Sequence, residues 1–232
     1  MSQAPDILTD QIEYYKARAN EYDEWFLRRG RYDYGPELNA QWFAEAEEVR
    51  KVLRQFAPGG RVLELACGTG LWTQELARYA QSITGVDASP EVIEINRGRV
   101  NSPSVRYIQA DLLSWRSDSQ YDVVFFSFWL SHVPPDRFDP FWAMVRDSLA
   151  PGGRVFFIDS AYDPTTTARD QPLEKPEVVT MMRRLNDGRE YRIIKVFYEP
   201  RKLEEQLAKI GWDVKVSSTP RYFLYGMGQP AG

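Results

Sequence analysis

Arg61-Val62-Leu63-Glu64-Leu65-Ala66-Cys67-Gly68-Thr69-Gly70-Leu71-Trp72-Thr73 is the stretch from which the fold is read. A short apolar run of β-branched and Leu residues stops at Gly-x-Gly, and a helical spacing begins after it. The stretch therefore reads as strand, tight turn, helix, and the turn is where a nucleoside-bearing cofactor is expected to sit.

The same alternation extends downstream. Strand 61–66 leads to helix 71–79, strand 82–86 to helix 90–100, and strand 105–109 to a loop around Asp111-Leu112-Leu113. Strand 121–127 leads to helix 136–149, and Pro151-Gly152-Gly153 turns into strand 154–159. Apolar strands alternating with helices predict a doubly wound, mostly parallel α/β sheet. Residues 161–189 break the rhythm with three prolines and mixed charge, and 191–198 alternates like a strand, so 160–198 is expected to be a small lid insertion. Helix 200–210 follows, and 211–216 with 222–226 reads as a closing antiparallel hairpin.

Upstream, Ile12, Tyr15, Ala19, Tyr22 and Phe26 recur at spacings of three and four, predicting one amphipathic helix over 10–26 with Thr9 or Asp10 as its N-cap. Residues 1–8 are polar and expected to fray. Residues 27–35 lose the periodicity, and a second helix over 38–56 ends at Ala57-Pro58-Gly59-Gly60. Residues 1–57 are thus expected to form N-terminal cap helices on a single domain spanning 1–232.

Composition narrows the function. A net charge of −4 is the reverse of the basic footprint of nucleic-acid binders. No apolar run approaches the ~20 residues needed to span a bilayer. One cysteine, Cys67, rules out an internal disulfide, and the first residues lack a basic segment followed by an apolar core. The reduced cytoplasm is the expected compartment, with no nucleic-acid or membrane partner and no metal. Cys67 reads as a small filler in the turn rather than a reactive thiol.

Ligands of open parallel sheets lie beyond the carboxyl ends of the strands, and three acids fall at such ends. Glu64 lies in the first strand, Asp87 closes the second, and Asp111 follows the third. Asp87 stands 17 residues beyond Gly70, near the ~20-residue offset at which a carboxylate accepts from a ribose hydroxyl pair. Asp111 with the backbone of Leu112 suits an adenine edge. A nicotinamide fingerprint needs a third small residue in Gly-x-Gly-x-x-Gly, where this chain has Thr73.

Glu-Leu-Ala-Cys-Gly-Thr-Gly (64–70) resembles the first motif of class I S-adenosylmethionine-dependent methyltransferases. The resemblance runs on through Leu-Ala-Pro-Gly-Gly-Arg (149–154) and Gly211-Trp212. It implies a Rossmann-like sheet of seven strands, with S-adenosylmethionine as cofactor and S-adenosylhomocysteine as product. Tyr14-Tyr15-Lys16-Ala17-Arg18-Ala19-Asn20-Glu21-Tyr22-Asp23 resembles the Tyr-x-x-Arg-Ala-x-x-Tyr-Asp helix of small-molecule members, whose Arg meets the cofactor's carboxylate. The resemblance thus implies cofactor contacts from Tyr14, Arg18, Tyr22, Glu64, Ala66, Gly68, Gly70, Trp72, Asp87, Ala88, Asp111, Leu112 and Phe128.

The acceptor side is read from the loops. Phe125 to Pro134 lacks the Asn/Asp-Pro-Pro-aromatic signature for planar amino groups, which points away from nucleobases and amides. His132, the only histidine, is either a base or donor for the acceptor or a buried residue satisfying its loop. Trp129 either walls the pocket or fills the core. By strand alternation Arg192 and Lys195 point to opposite faces, so at most one faces a given pocket. An inward Lys195 needs an anionic partner; an outward one is a solvated edge lysine.

Trp129 to Phe138 together with Asp187 to Phe197 looks like the phosphonate O-methyltransferases of the dehydrophos type, in which basic and aromatic lid groups hold the anion. The matching lysine is Lys195. A loop Tyr of that family has no clear counterpart here; the loop reads Arg28-Arg29-Gly30-Arg31-Tyr32, leaving Arg29, Arg31 or Tyr32 for another anion. The expectation is methyl transfer to an oxygen of a small anionic metabolite, phosphonate or carboxylate, by a monomer or homodimer. His132 and Lys195 are the candidate catalytic residues, with Tyr32, Trp129 and Arg192 beside them at the acceptor. The alternatives are a phenol or amine methyltransferase with His132 as base, a NAD-dependent oxidoreductase, or a catalytically silent S-adenosylmethionine-binding module.

Overall fold

The computed structural model describes residues 7–232; part of the polar stretch 1–8 lies outside them. In chain order come α1 (Ile7–Ala17), α2 (Tyr22–Phe26), α3 (Pro36–Phe56), β1 (Arg61–Leu65), α4 (Thr73–Leu76), β2 (Ser82–Asp87), α5 (Pro90–Val100), β3 (Val105–Gln109) and β4 (Tyr121–Ser127). They are followed by α6 (Phe138–Asp147), β5 (Leu149–Ser160), β6 (Thr180–Arg184), β7 (Glu190–Ile194), α7 (Pro200–Lys209), β8 (Trp212–Ser218) and β9 (Phe223–Pro230).

Seven strands form one sheet in the order β3-β2-β1-β4-β5-β9-β8. β1 to β5 pair in parallel, and β9 runs antiparallel between β5 and β8. Strand order reverses between β1 and β4, so the loops after these two strands open on the crevice where such sheets bind ligands. Strands buried on both faces need continuous apolar sequence, which β4 supplies with Val123, Val124, Phe125 and Phe126, all at most 1% exposed. One face packs on α6 and α7 around Trp142, Phe157 and Leu207; the other packs on α3 around Trp42, Val49 and Leu53. Glu45 ties α3 to the turn before β9 by accepting from Thr219 Oγ1 at 2.6 Å and from the backbone N–H of Tyr222 at 2.8 Å.

The helix expected over 10–26 is two helices. α1 begins by Ile7, so Thr9 and Asp10 lie inside it, and residues 18–21 turn before α2. The periodicity runs unbroken across that turn, and tertiary contacts decide it: Arg18 leaves the helix line to lie against the rings of Tyr14, Tyr22 and Tyr32. α4 is a single turn rather than 71–79. The strand expected over 191–198 stops at Ile194 and pairs with β6 in a separate two-stranded sheet that the sequence reading did not contain. β6 carries two arginines and lacks strict alternation, which hid it. A small apolar cluster of Tyr14, Met181, Leu185 and Ile193 packs this hairpin on α1. Among the described residues no helix is long and apolar enough to cross a membrane.

Candidate active site

The turn after β1 is held by groups remote in sequence. Gly70 has φ +90°, and a Cβ there would stand 2.6 Å from Asn96 Oδ1, so both backbone and space demand glycine. Asn96 of α5 donates through Nδ2 to Cys67 O and Gly68 O, each at 3.1 Å, and to Thr73 Oγ1 at 2.9 Å. Gly68 N–H donates to Asp87 Oδ2 and Ser89 N–H to Asp87 Oδ1, both at 3.0 Å. Across the turn, Asp23 of α2 accepts from Thr69 Oγ1 at 2.6 Å and from Arg99, which also donates to Thr69 O at 2.8 Å. This clasp fastens α2 to the glycine turn.

Three adjoining recesses open there. The largest, about 860 Å³, is lined by Ala66, Gly68, Asp87, Ala88, Asp111, Leu112, Trp129 and residues of α1. A smaller one of about 300 Å³ lies along 66–72 and includes Gly70 and Trp72. The third, about 560 Å³, lies under β7 and the 160–167 segment, with Arg18, Tyr32, Arg183 and Lys195 in its wall. Four residues, Tyr15, Tyr22, Phe128 and His132, line both the first and the third, and so form the window between them. Phe128 holds φ +54°, a costly conformation for an aromatic residue. Its ring meets Trp25 edge-on at 4.7 Å.

Lys195 is 7% exposed and points inward. Its Nζ donates to Ser131 Oγ at 2.8 Å, Asp159 Oδ1 at 3.4 Å and Ser160 Oγ at 3.5 Å. Asp159 itself is fixed by the N–H groups of Ser131 and Ser160. Burial pulls the Lys195 pKa down from the usual lysine value and Asp159 opposes that shift. This resolves the alternative left by the alternation: Ile193, Lys195 and Phe197 share the cavity wall. Arg192 is exposed and does not line it, so the expectation that Arg192 binds substrate is corrected.

His132 sits 6% exposed with both ring nitrogens engaged. Nδ1 lies 2.7 Å from Ile194 O and Nε2 lies 2.7 Å from Tyr15 Oη. A carbonyl only accepts, so Nδ1 carries the proton and Nε2 accepts from the Tyr15 hydroxyl. Burial, then the nearby Lys195, push its pKa well below the usual histidine value. A ring with both nitrogens engaged does not suit the role of base, the reading tied to a phenol or amine acceptor. Buried Gln11 of α1 completes the joint by donating to His132 O at 3.1 Å and accepting from Ile194 N at 3.0 Å.

Other expected residues are redistributed. Arg18, expected on the cofactor side, lines the basic recess and donates to Tyr32 Oη at 3.3 Å. Trp129, expected at the acceptor, walls the 860 Å³ recess instead. Tyr14 lines none of the three and packs in the cluster on β6 and β7. Glu64 also lines none of them; it lies 1% exposed in β1, where burial pushes its pKa up to about 8. A hydrogen bond from Thr73 opposes that shift, and Glu64 Oε2 is buried without a hydrogen-bond partner. Cys67 is buried, which raises its thiol pKa and leaves it inert. The sequence reading missed Tyr15, Arg183, Ser131, Asp159 and Asn96, whose roles depend on hydrogen-bond partners as far as 117 residues away and leave no local spacing.

Glu64 carries a stability prediction. Its folded pKa lies above the unfolded value of about 4.3, so between about pH 4.3 and 8 the folded chain holds a proton that the unfolded chain has lost, and stability falls as pH rises through that window. Glu64→Gln should therefore stabilise the ligand-free protein at pH 8 to 9 and make no difference near pH 4, measured as denaturation midpoints across pH. An equal effect at both ends would contradict a neutral buried carboxyl.

The fold and the first recess define a nucleoside-binding α/β protein: Asp87 offers two fixed oxygens at the end of β2, and Gly68 and Gly70 add no side chains to the turn. A methyltransferase domain family matches residues 62–153. Two solved structures of DhpI, one with SAH and one with SAM and HEP, are 38% identical to this chain. They align over 99% of it and 99–100% of their own length, with TM-scores of 0.77 and 0.79. The Xylella fastidiosa ubiquinone biosynthesis O-methyltransferase is 38% identical over 107 residues, 42% of this chain and 41% of that protein. The Rhizobium tropici nodulation protein S is 27% identical over 126 residues, 52% of each. The chain spans about half the length of the curated relatives it matches. The glycopeptide N-methyltransferase MtfA, at 19% identity and TM-score 0.58, shares the fold. This chain belongs to the class I S-adenosylmethionine-dependent methyltransferases, and S-adenosylmethionine is its cofactor. The NAD-dependent alternative is thereby set aside.

Proposed function

We propose that the chain methylates an oxygen of a small anionic metabolite, a phosphonate or carboxylate. The observation that carries this is the charge of the basic recess. Arg18, Arg183 and Lys195 line it, and no carboxylate is among its lining residues. Should Arg18 serve the cofactor's carboxylate, as the family resemblance implies, two cations remain. Cations drawn away from water without a matching anion are costly; Asp159 pairs with buried Lys195 alone, and half-buried Arg183 has no carboxylate beside it in the recess wall. Arginine at such a site suits the planar, two-oxygen face of a phosphonate or carboxylate. The DhpI structure with SAM and HEP and the ubiquinone biosynthesis O-methyltransferase support an oxygen acceptor.

On this reading Asp87 accepts from the ribose hydroxyls, Asp111 and Leu112 meet the adenine edge, and Ala66, Gly68 and Gly70 lie along the methionine portion. Ala88, Trp129 and Phe128 supply apolar walls, and Tyr22 and Trp72 close the turn side. The bound cofactor supplies an electrophilic methyl group: as the new C–O bond forms, the C–S bond breaks and its electron pair stays on sulfur. An acceptor already ionised at neutral pH needs no base, so the residues' task is to place and desolvate it. Lys195 and Arg183 fix the anion, Tyr32 lines its cavity, and the aromatic window excludes water.

The test is an acceptor screen with methyl-labelled cofactor over small phosphonic acids, carboxylic acids, phenols and amines. Ester formation on the acids is expected. Turnover confined to phenols or amines would overturn the anion assignment, and cofactor binding without turnover of any of them would favour a silent module.

A further inference from the structure

The His132 joint sits in the window that the methyl group has to cross, and its hydrogen bonds run in one direction only. Ile194 O at the end of β7 fixes the proton on Nδ1, so Nε2 accepts from Tyr15 Oη at 2.7 Å. The two rings meet edge-on, with centroids 5.3 Å apart at 74°. The single hydrogen of the Tyr15 hydroxyl is thereby committed to His132, and any lone pair left over is all that the phenol oxygen can offer to the window.

We propose that His132 is a positioning residue that acts through Tyr15, holding the phenol oxygen as a pure hydrogen-bond acceptor facing the reacting groups. This deepens the methyl-transfer reading above and rests on it. The direction matters because the two orientations of the hydroxyl act oppositely. A hydroxyl free to turn would donate to the ionised acceptor, stabilising its charge and making it a poorer nucleophile. A hydroxyl turned to His132 presents negative lone-pair density to a positively polarised methyl group and leaves the acceptor's charge undiminished. The β7 carbonyl thus sets the polarity of a side chain on α1, with Gln11 fixing the same two backbone segments. The positive groups facing the ring, Lys195, Arg183 and Arg18, favour the neutral imidazole that this direction requires.

Two amide replacements separate this role from that of a base. Asparagine places an N–H where Nδ1 is and reaches only Ile194 O. Glutamine places an acceptor oxygen where Nε2 is and reaches Tyr15. Neither amide is basic. With ethylphosphonate and acetate as probe acceptors, at saturating cofactor, Tyr15→Phe and His132→Asn should each lower kcat by about ten- to a hundredfold, whereas His132→Gln should recover most of the loss. A base would be lost equally in both amides, so equal losses in folded His132→Asn and His132→Gln protein would overturn the proposal. Undiminished kcat in Tyr15→Phe would do the same.

The chain has one histidine, so nitrogen NMR of histidine-labelled, untagged protein reads this ring alone and needs no acceptor. The expected spectrum holds the proton on Nδ1 throughout pH 5.5–8, and the Nε2 resonance shifts in Tyr15→Phe. A proton on Nε2, or an imidazolium near neutrality, would overturn the proposal whichever acids prove to be acceptors. A failed acceptor screen with the expected spectrum would instead count against the anion reading.

Discussion

Lys195→Gln should lower kcat/KM for an anionic acceptor by about 10²- to 10⁴-fold, the loss expected when one partner of a buried, hydrogen-bonded charge pair is removed. Lys195 brings its ammonium into a recess lined by Arg18 and Arg183, and its three partners, Ser131, Asp159 and Ser160, hold it in one position. Glutamine is shorter and uncharged, so it neither offsets the acceptor's charge nor reaches the same point. The variant should also lose some stability, because Asp159 stays buried. The backbone N–H groups of Ser131 and Ser160 still bind that carboxylate, so the cost should fall below the ~3–5 kcal/mol typical of a broken buried pair. Cofactor affinity should not change, since Lys195 does not line the recess that contains Asp87. Steady-state kinetics beside calorimetric titration checks all three points. Near-wild-type turnover in folded Lys195→Gln protein would reduce Lys195 to a structural lysine.

Asp87→Ala is expected to have the largest effect on the cofactor side. Its two oxygens already accept from Gly68 and Ser89 N–H, and the residue lines the recess. Losing a charged acceptor for two ribose hydroxyls, at about 1.5–3 kcal/mol per bond, should weaken S-adenosylmethionine binding by about 10²-fold or more. The same change removes the clamp on the glycine turn, so the Gly68 amide loses its partner. Titration of the variant beside wild type decides the matter: affinity within a few-fold of wild type would place the ribose elsewhere.

How far the sequence could be read follows the range of the interactions involved. The β1 turn, the strand-end acids Asp87 and Asp111, and the closing β8–β9 pair are set by local spacing and appear where expected. Glu64 was legible as an acid but not as a buried one, because the face a strand turns inward depends on neighbours that β1 alone does not name. Tyr15 stands beside Tyr14 in a run of similar residues. Only the break after α1 and the approach of β7 decide which of the two rings reaches the window. Lys195 was legible as one of two alternatives, and its anionic partner Asp159 comes from the end of a different strand. His132 was visible as a lone histidine near a strand end, yet its hydrogen bonds to Ile194 and Tyr15 reverse the role its position suggests.

The sharing of one window by two recesses divides the molecule's labour. The cofactor recess is built largely from ends of the central sheet, which cannot shift without disturbing the core. Apart from Ser160 at the end of β5, the basic recess is closed largely by α1, α2, the segment after β5 and the β6–β7 hairpin, none of which contributes a strand to that sheet. Acceptor preference is therefore open to reprogramming by exchanging the β6–β7 hairpin and the segment after β5, whereas α1 and α2 also line the cofactor recess and clasp its glycine turn and have to be kept. The limit on such grafting is the joint of Gln11, Tyr15, His132 and Ile194: a transplanted hairpin must bring a backbone carbonyl to the Ile194 position, or the two halves of the reaction fall out of alignment.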